Sequence, residues 1–464
     1  GRPHKPWVRR GPKQGSKEAP KGAPPPRAGL GARQLAVRLV SAVLDDGRPL
    51  DQAWSEATKT QHFERLDARD RAFARMLAAT TLRRQGELEF VISKFLERPL
   101  PEDKGRLWSI LLTGAAQTVC LKLPPHAVVD LGVELTRFDR GARRFAKLTN
   151  AILRRVSEKG EELLESEDRV RLNVPDWLYG RWEATYGGDL VRSIAEASLR
   201  EAPLDLSLKD PASAKAWAEK LGGVVLPTGS IRLPLHAGRI EDLPGYAEGA
   251  WWVQDAAAAL VARAAGVVAG LSVADLCAAP GGKTASLASA GGRVTAVDQS
   301  QVRLQRLDEN MRRLGLLVTV VCADIAQWAP PEPFDAVLLD APCSATGTIR
   351  RHPDIPFLKT PADIAALASL QAELLAAAAA LTRPGGTLVY CTCSLEPEEG
   401  EDQARRALAA LPLESLPIAA GEAAGLGTIS TEGWLRTLPS DLPNADPRLG
   451  GLAGFFVARF RRTT

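Results

Sequence analysis

The sequence has no unbroken apolar run of the about eighteen residues that a membrane-spanning helix needs, and it does not open with a signal-peptide pattern. Only six of its 464 residues are cysteines. They form no Cys-x-x-Cys pair of the kind that binds zinc, and they are too sparse for a secreted disulfide scaffold. These absences predict free thiols in the cytoplasm, no membrane segment and no metal.

Charge is distributed unevenly along the chain. Before residue 28, eight basic residues and one acidic residue give +7, so the total of +4 leaves about −3 for the remainder. Residues 1–29 are rich in Pro, Gly, Lys and Arg, and such a segment cannot bury enough apolar surface to order itself. We therefore predict a disordered basic tail, which is either a solubilising extension or a segment that attracts nucleic-acid phosphates.

The sequence pattern changes twice along the rest of the chain, which divides it into three segments. A chain of this length is expected to form about two to four domains. Residues 30–165 show helical periodicity, as in the stripe of Leu35, Leu39 and Val43, which predicts a compact helical domain. Short apolar runs broken by Gly, Pro and Asp predict a small α+β module over 166–246. Alternating strands and helices over 247–464 predict an α/β domain with a doubly wound parallel sheet.

Residues 275–284 read Asp-Leu-Cys-Ala-Ala-Pro-Gly-Gly-Lys-Thr and connect a predicted strand to a predicted helix. Gly281 and Gly282 allow a sharp turn and a close approach to a ligand, and a helix N-terminus favours an anionic or polar group. The segment is not a phosphate-binding P-loop, because Cys277 stands where that motif needs glycine, nor does it contain Gly-x-Gly-x-x-Gly. An ordinary strand-to-helix turn is the alternative.

Polar residues follow the ends of several predicted strands, where ligands bind in open α/β sheets. Asp298 can accept both hydroxyls of a ribose, or it can cap the next helix. Asp324 can accept from an adenine amino group. The strands are predicted at 272–276, 293–297, 318–322, 334–339 and 386–391, with helices near 301–314, 361–381 and 397–409.

Two further motifs carry a cysteine: Asp340-Ala-Pro-Cys-Ser-Ala-Thr-Gly and Thr392-Cys393-Ser394. Together with the loop at 277–283, they resemble the S-adenosylmethionine-dependent RNA cytosine-5 methyltransferases of the NOL/NOP/Sun family. Leu-Pro-Pro-His-Ala at 123–127 and Leu-Thr-Asn-Ala-Ile-Leu-Arg-Arg at 148–155 resemble the NusB-like RNA-binding domain at the front of bacterial ribosomal RNA members. The resemblance implies a Rossmann-like methyltransferase domain over 247–464, behind an all-helical NusB-like domain and the α+β module.

Cysteine has a chemical reason to be present in such an enzyme. C5 of cytosine is a poor nucleophile, and a thiolate that adds at C6 turns C5 into an enamine able to attack a methyl sulfonium. The thiol needs nearby positive charge, for which Lys283 is the candidate, and Asp340 can donate to N3 of the base if its carboxyl is protonated or shared. By resemblance, Cys393 attacks and Cys343 assists release. The alternative is that both are small buried hydrophobic residues.

The resemblance also implies a set of binding residues. Those for S-adenosylmethionine are Cys277, Ala278, Ala279, Pro280, Gly281, Gly282, Lys283, Asp298, Arg303, Asp324 and Asp340. Those for RNA are Arg350, Arg351 and His352, which otherwise form a surface loop, and the helically spaced Arg143, Arg144, Arg154 and Arg155, which otherwise form a solvated face.

The expected activity is methylation of cytosine in 16S ribosomal RNA by a monomeric cytoplasmic enzyme. The target cytosine must be single-stranded or flipped out, because a paired base cannot admit a thiol and a cofactor together. Three alternatives remain: the same chemistry on transfer RNA or another RNA, an RNA-binding assembly factor without catalysis, and a DNA methyltransferase, which the Thr-Cys-Ser motif disfavours.

Overall fold

The computed structural model describes residues 28–234 and 238–464, so residues 1–27 of the predicted tail lie outside the described residues. The helices are α1 Leu30–Leu44, α2 Leu50–Ala57, α3 Gln61–Glu64, α4 Ala68–Arg83, α5 Gln85–Ser93, α6 Leu107–Ala115, α7 Pro125–Phe138, α8 Ala146–Leu164, α9 Arg169–Leu172, α10 Asp176–Tyr186, α11 Gly188–Ser198, α12 Ala214–Leu221, α13 Ala256–Arg263, α14 Gly282–Ser289, α15 Gln301–Leu314, α16 Ile355–Leu358, α17 Pro361–Leu381 and α18 Glu401–Ala410. The strands are β1 Leu204–Leu208, β2 Val224–Val225, β3 Ile231–Leu233, β4 Trp251–Val253, β5 Ser272–Leu276, β6 Arg293–Asp298, β7 Thr319–Cys322, β8 Phe334–Asp340, β9 Thr382–Thr392, β10 Leu413–Ser415, β11 Thr428–Ile429, β12 Leu435–Thr437 and β13 Phe455–Arg462.

The first eight helices enclose one apolar core, which confirms the predicted helical domain. Leu35, Leu39 and Val43 are all buried along α1, as their helical spacing predicted. The longest of these helices, α8, contributes Ile152, Leu153 and other apolar side chains to the same core and presents its polar side to solvent. The arginines of α8 are therefore on the outside of this domain.

A small antiparallel sheet with strand order β2-β3-β1-β4 forms the module between the two larger parts. Helix α12 packs against it over a core that includes Leu206, Ile231 and the fully buried Trp251. Strand β4 of this sheet lies beyond the predicted boundary at 246. The module therefore extends into the segment that was predicted to begin the α/β domain.

The large sheet has the predicted doubly wound arrangement. Strands β7-β6-β5-β8-β9 run parallel in that order, and the antiparallel strands β13, β12 and β11 extend the β9 edge, with β10 paired to β13. Mostly apolar segments form the central strands because these are buried on both faces; examples are Ala336–Leu339 in β8 and Val273–Leu276 in β5, where Asp275 is the exception. The order reverses at β5, with β6 on one side and β8 on the other, so ligands are expected at the carboxyl ends of these strands.

Helix α17 is the one helix among the described residues that is long and apolar enough to cross a membrane. It begins with Thr360 and Asp363 in a capping box, and it packs along β8, β9 and α18. Polar residues interrupt its apolar sequence, among them the buried Gln371, which hydrogen-bonds to Pro342 and Glu399. Its apolar side chains thus contribute to the core beneath the sheet.

Candidate active site

The backbone conformation of the loop after β5 restricts which residues can occupy it. Cys277 and Gly281 both have positive φ, of 59° and 101°. A Cβ atom on Gly281 would lie 2.9 Å from Cγ of Leu307 in α15, so both backbone conformation and space require glycine there. The two glycines therefore let α14 begin directly against α15.

Contacts with β6 and α15 hold this loop in place. Ala278 N donates to Val297 O at 3.0 Å, and Ala279 N donates to Asp298 Oδ2 at 3.2 Å. The Arg303 guanidinium donates to the carbonyl of Ala279. Arg303 thus has a packing role, because it holds the loop through the backbone carbonyl of Ala279.

Asp298 lies at the end of β6, and its side chain is only 3% exposed. Its Oδ1 accepts from Ser300 N at 2.9 Å, and Ser300, not Asp298, caps α15 through Arg303 N. The capping alternative for Asp298 is therefore wrong. Each carboxylate oxygen keeps a further lone pair that can accept a ribose hydroxyl.

The loop fits a cofactor that carries a carboxylate and a nucleoside. Gly281 precedes α14 without any capping side chain, so the first N–H groups of α14 are available to an anionic group. Asp324, which follows β7, is exposed and accepts from Ala326 N and Gln327 Nε2, both at 3.0 Å. A contact between Asp324 and adenine stays a prediction.

Asp275, at the base of the loop, is a buried carboxyl group. Its Oδ2 accepts from Thr284 Oγ1 at 2.5 Å, and its Oδ1 has no partner. Burial and, to a smaller extent, the charge of Asp340 raise the pKa of Asp275 to about 7, against the opposing effect of the Thr284 hydrogen bond. Asp275 consequently binds its proton more tightly in the folded state than in the unfolded chain, where the pKa of an aspartate is near 4.

We expect this group to make stability fall as pH rises. The stabilisation from proton binding is fully present below about pH 4 and is lost as the pH passes about 7. Between pH 5 and 8 the wild type should lose roughly 2–3 kcal/mol of unfolding free energy relative to Asp275→Asn, which cannot titrate. Urea unfolding of both proteins at both pH values measures this difference, and identical pH dependence would contradict it.

The two cysteines predicted to be catalytic lie side by side. Their Sγ atoms are 3.5 Å apart, because β8 and β9 are neighbouring parallel strands with Asp340 opposite Cys391. Ala341 N donates to Cys391 O and Gly347 N donates to Cys393 O, each at 3.0 Å. Both cysteine residues are half-buried.

Lys283 and Asp340 form an ion pair beside these thiols, with Nζ 2.7 Å from Oδ2. Burial lowers the pKa of Lys283, but Asp340, Cys391 and Cys393 raise it more, so its pKa ends above the usual value. The Cys391 thiol, whose pKa burial and Asp340 hold well above its usual range, donates to Asp340 Oδ1 at 3.4 Å. Lys283 therefore keeps its positive charge next to the cysteine pair.

The environment distinguishes the two thiols of the pair. The hydrogen bond with Cys393, burial, and the charges of Cys393 and Glu399 together raise the pKa of Cys343 well above its usual range. This high pKa disfavours the thiolate form of Cys343 while Cys393 and Glu399 stand beside it. Which of the two thiols attacks the base stays a prediction.

Sequence reasoning missed a buried carboxylate, Glu399, that touches both cysteine loops. It accepts from Ser344 N at 2.9 Å, from Ser394 Oγ at 2.5 Å and from the Ser344 hydroxyl. The sequence indicates this contact only through the serine that directly follows each of Cys343 and Cys393. Glu399 itself stands in an acidic run that is typical of a solvated surface.

The predicted RNA loop at 350–352 is mostly occupied by internal contacts. Arg350 is 4% exposed and donates to Gly450 O at 2.8 Å, so its burial argues against a phosphate contact and we do not propose one. Arg351 is ion-paired with Asp255, the residue that caps α13. His352 remains exposed, with Nδ1 3.5 Å from Asp51 of the helical domain.

The loop instead contacts the helical domain, and it directly follows the Cys343 motif. Arg83 Nη2 donates to Arg350 O at 3.0 Å, and Leu50 N donates to Asp354 Oδ2 at 2.9 Å. Both partners follow the Cys343 motif in the chain. The position of the helical domain is therefore fixed directly against this segment.

Of the predicted basic residues in the helical domain, all four arginines at 143, 144, 154 and 155 are exposed. Arg144 is paired with Asp103 at 2.5 Å. Within the described ranges, no group of three or more His, Cys, Asp or Glu side chains is arranged to hold a metal ion.

Comparison with known proteins gives a consistent set of relatives. Residues 268–461 match the family model described as 16S rRNA methyltransferase RsmB/F, and residues 30–158 match that of the NusB family. The ribosomal RNA small subunit methyltransferase B of Xanthomonas campestris is 36% identical over 418 residues, which are 86% of this chain and 93% of the relative.

Two solved structures share the fold. The crystal structure of PH0851 aligns with a TM-score of 0.69 and 24% identity, over 95% of this chain and 100% of the other. The structure of NSun6 from Pyrococcus horikoshii with SFG aligns with a TM-score of 0.53 and 20% identity, over 62% and 98%.

Proposed function

Because the chain belongs to the family of ribosomal RNA small subunit methyltransferases B, which use S-adenosylmethionine, we propose that it methylates C5 of a cytosine in 16S ribosomal RNA. The observation that carries the proposal is the pair of thiols, Cys343 and Cys393, beside the ion pair of Lys283 and Asp340. A binding protein has no chemical use for two adjacent thiols at the ends of neighbouring strands. The enzyme is expected to act as a monomer in the cytoplasm.

In the proposed reaction, Cys393 as thiolate adds to C6 of the cytosine, and C5 gains the electron density of an enamine. The positive charge of Lys283 favours the thiolate form. The Lys283–Asp340 pair holds a proton that Asp340 can pass to N3 as negative charge develops on the ring. S-adenosylmethionine supplies the methyl group as an electrophilic sulfonium.

Product release requires removal of the C5 proton, and we propose Cys343 for this step, since its sulfur lies 3.5 Å from that of Cys393. Once Cys393 is bonded to carbon, it no longer carries a charge and no longer accepts the hydrogen bond of Cys343. Two of the causes that raise the pKa of Cys343 are then gone. After its own thiol proton has passed to solvent, Cys343 as thiolate can take the C5 proton. The electrons of the C5–H bond then form the C5–C6 double bond, those of the C6–S bond return to the sulfur of Cys393, and the N3 proton returns to Asp340.

The cofactor would be held by the loop from Cys277 to Lys283 and by two strand-end carboxylates. Asp298 is proposed for the ribose hydroxyls and Asp324 for the adenine amino group. The free N–H groups at the start of α14 suit the carboxylate of the methionine part. Arg303 acts through the loop, because its guanidinium holds Ala279.

We propose that α8 contributes to RNA binding through phosphate contacts. Replacing both Arg154 and Arg155 by alanine should weaken binding of 16S ribosomal RNA and lower the slope of log affinity against log salt by about one to two. Filter binding over a salt series measures the slope. Arg461→Ala, at another exposed arginine, is the control; an unchanged slope in the double variant would remove α8 from the interface.

The direct test is transfer of labelled methyl groups from S-adenosylmethionine to unmodified 16S ribosomal RNA and, separately, to transfer RNA. Nuclease digestion of the product should give 5-methylcytidine from 16S RNA alone. Cys322→Ala, which removes an exposed thiol outside the pair, should retain activity. Transfer only to transfer RNA would overturn the substrate, and no transfer to any RNA would leave an assembly factor without catalysis.

A further inference from the structure

We infer that Glu399 is a positioning residue that fixes the two cysteine loops to each other and makes the two thiols chemically unequal. The second part rests on the proposed function, in which the cysteines have different tasks. Glu399 touches neither sulfur through a direct hydrogen bond. It acts through the residues that follow them.

The geometry ties both loops to one carboxylate. Oε2 accepts from the hydroxyls of Ser344 and Ser394, which directly follow Cys343 and Cys393. Oε1 accepts from Ser344 N at 2.9 Å and from Gln371 Nε2 at 3.0 Å. The pairing of β8 with β9 brings the two cysteine loops together, and this carboxylate ties them to each other beyond the ends of the strands.

Glu399 is itself held rigidly. It is fully buried, and its carbonyl oxygen accepts from Tyr390 OH at 2.7 Å and from Thr392 Oγ1 at 3.2 Å, both on β9. Gln371 also donates to Pro342 O at 2.8 Å, next to Cys343. A residue so fixed can hold two sulfur atoms within reach of one base, and a displacement of about 1 Å at such a site costs on the order of 100-fold in rate.

The carboxylate also acts electrostatically. Its four hydrogen-bond donors are two hydroxyls, one main-chain N–H and one amide, and none of them is a cation. The negative charge is therefore not cancelled by these contacts, and it adds to the causes that raise the pKa of Cys343. Without that charge, Cys343 should lose its proton more easily and compete with Cys393.

Thiol alkylation tests this without any RNA. Glu399→Gln keeps the size of the side chain and one acceptor oxygen, and its NH2 group can donate to the hydroxyls of Ser344 and Ser394. In this variant iodoacetamide should modify Cys343 several-fold faster relative to the exposed Cys322 than in the wild type, measured by peptide mass spectrometry across pH 6–9. Glu396→Gln is the matched control, because the side chain of this buried acid accepts from Arg181 and Trp182. Its hydrogen bond to Ser394 Oγ comes from its main-chain N and is kept in the variant. An alkylation ratio unchanged in Glu399→Gln would overturn the electrostatic part.

A second variant separates charge from position. Ser394→Ala removes one tie and keeps the charge, so it should slow methyl transfer without raising the alkylation of Cys343. Equal transfer in this variant and the wild type would overturn the positioning part. If the wild type transfers no methyl group, the proposed function fails, whereas the alkylation comparison still decides whether Glu399 controls the two thiols.

Discussion

Cys393→Ala should lower methyl transfer by about 10⁴-fold or more, because the variant has no nucleophile to break the aromaticity of the cytosine ring. Cys343→Ala should behave differently. It keeps the attacking thiol and loses the group that takes the C5 proton, so the covalent protein–RNA complex should accumulate. The two thiols can act on the same base in successive steps because their sulfur atoms lie 3.5 Å apart.

Single-turnover methyl transfer and denaturing gels report the two steps separately. In the wild type, adduct is expected to form and decay, whereas Cys343→Ala should retain a slowly migrating RNA–protein band. Cys322→Ala serves as the control for loss of a thiol outside the site. Accumulation of adduct in Cys393→Ala, together with inactivity of Cys343→Ala, would reverse the roles of the two cysteines.

Asp205→Ala should destabilise the fold by about 3–5 kcal/mol, because it leaves the Arg232 guanidinium buried without its partner. Both side chains are at most 1% exposed, and Arg232 Nε and Nη2 each donate to a carboxylate oxygen at 2.7 Å. Arg232 Nη1 also donates to the carbonyls of Leu449 and Gly451, so the pair connects the small module to the C-terminal part of the chain.

Urea unfolding compares this variant with two others. Replacing the pair together, as Asp205→Leu with Arg232→Met, removes both charges and should recover most of the lost stability. Asp446→Ala breaks an exposed pair with Arg448 and should change stability far less than Asp205→Ala does. If Asp205→Ala costs as little as Asp446→Ala, the buried pair does not contribute in the way that its geometry indicates.

The large sheet could be predicted because its signals are local. Central strands buried on both faces require mostly apolar sequences, and β5, β6 and β8 each have an aspartate at or next to the last residue: Asp275, Asp298 and Asp340. The strand-end rule for open α/β sheets then brought Asp298, Asp340 and Cys393 to one edge. The proximity of Cys343 and Cys393 follows from the pairing of β8 with β9.

The contacts that hold the site together could not be predicted in this way. Glu399 and Arg350 stand in runs of charged residues, which usually face water, yet both are buried by elements distant in sequence. Such burial depends on partners like Ser344 or Gly450, whose positions only the tertiary fold determines. The sequence pattern therefore assigns Arg350 to RNA contacts and gives no indication that Glu399 binds both cysteine loops.

The most direct test of covalent catalysis identifies the residue that bonds to the base. RNA with 5-fluorocytidine at the target position should trap the enzyme in the presence of S-adenosylmethionine, because fluorine at C5 cannot leave as a proton. After digestion, mass spectrometry should find the methylated nucleotide on the peptide that contains Cys393. A bond at Cys343, or full turnover of this RNA without any trapped complex, would contradict the proposed mechanism.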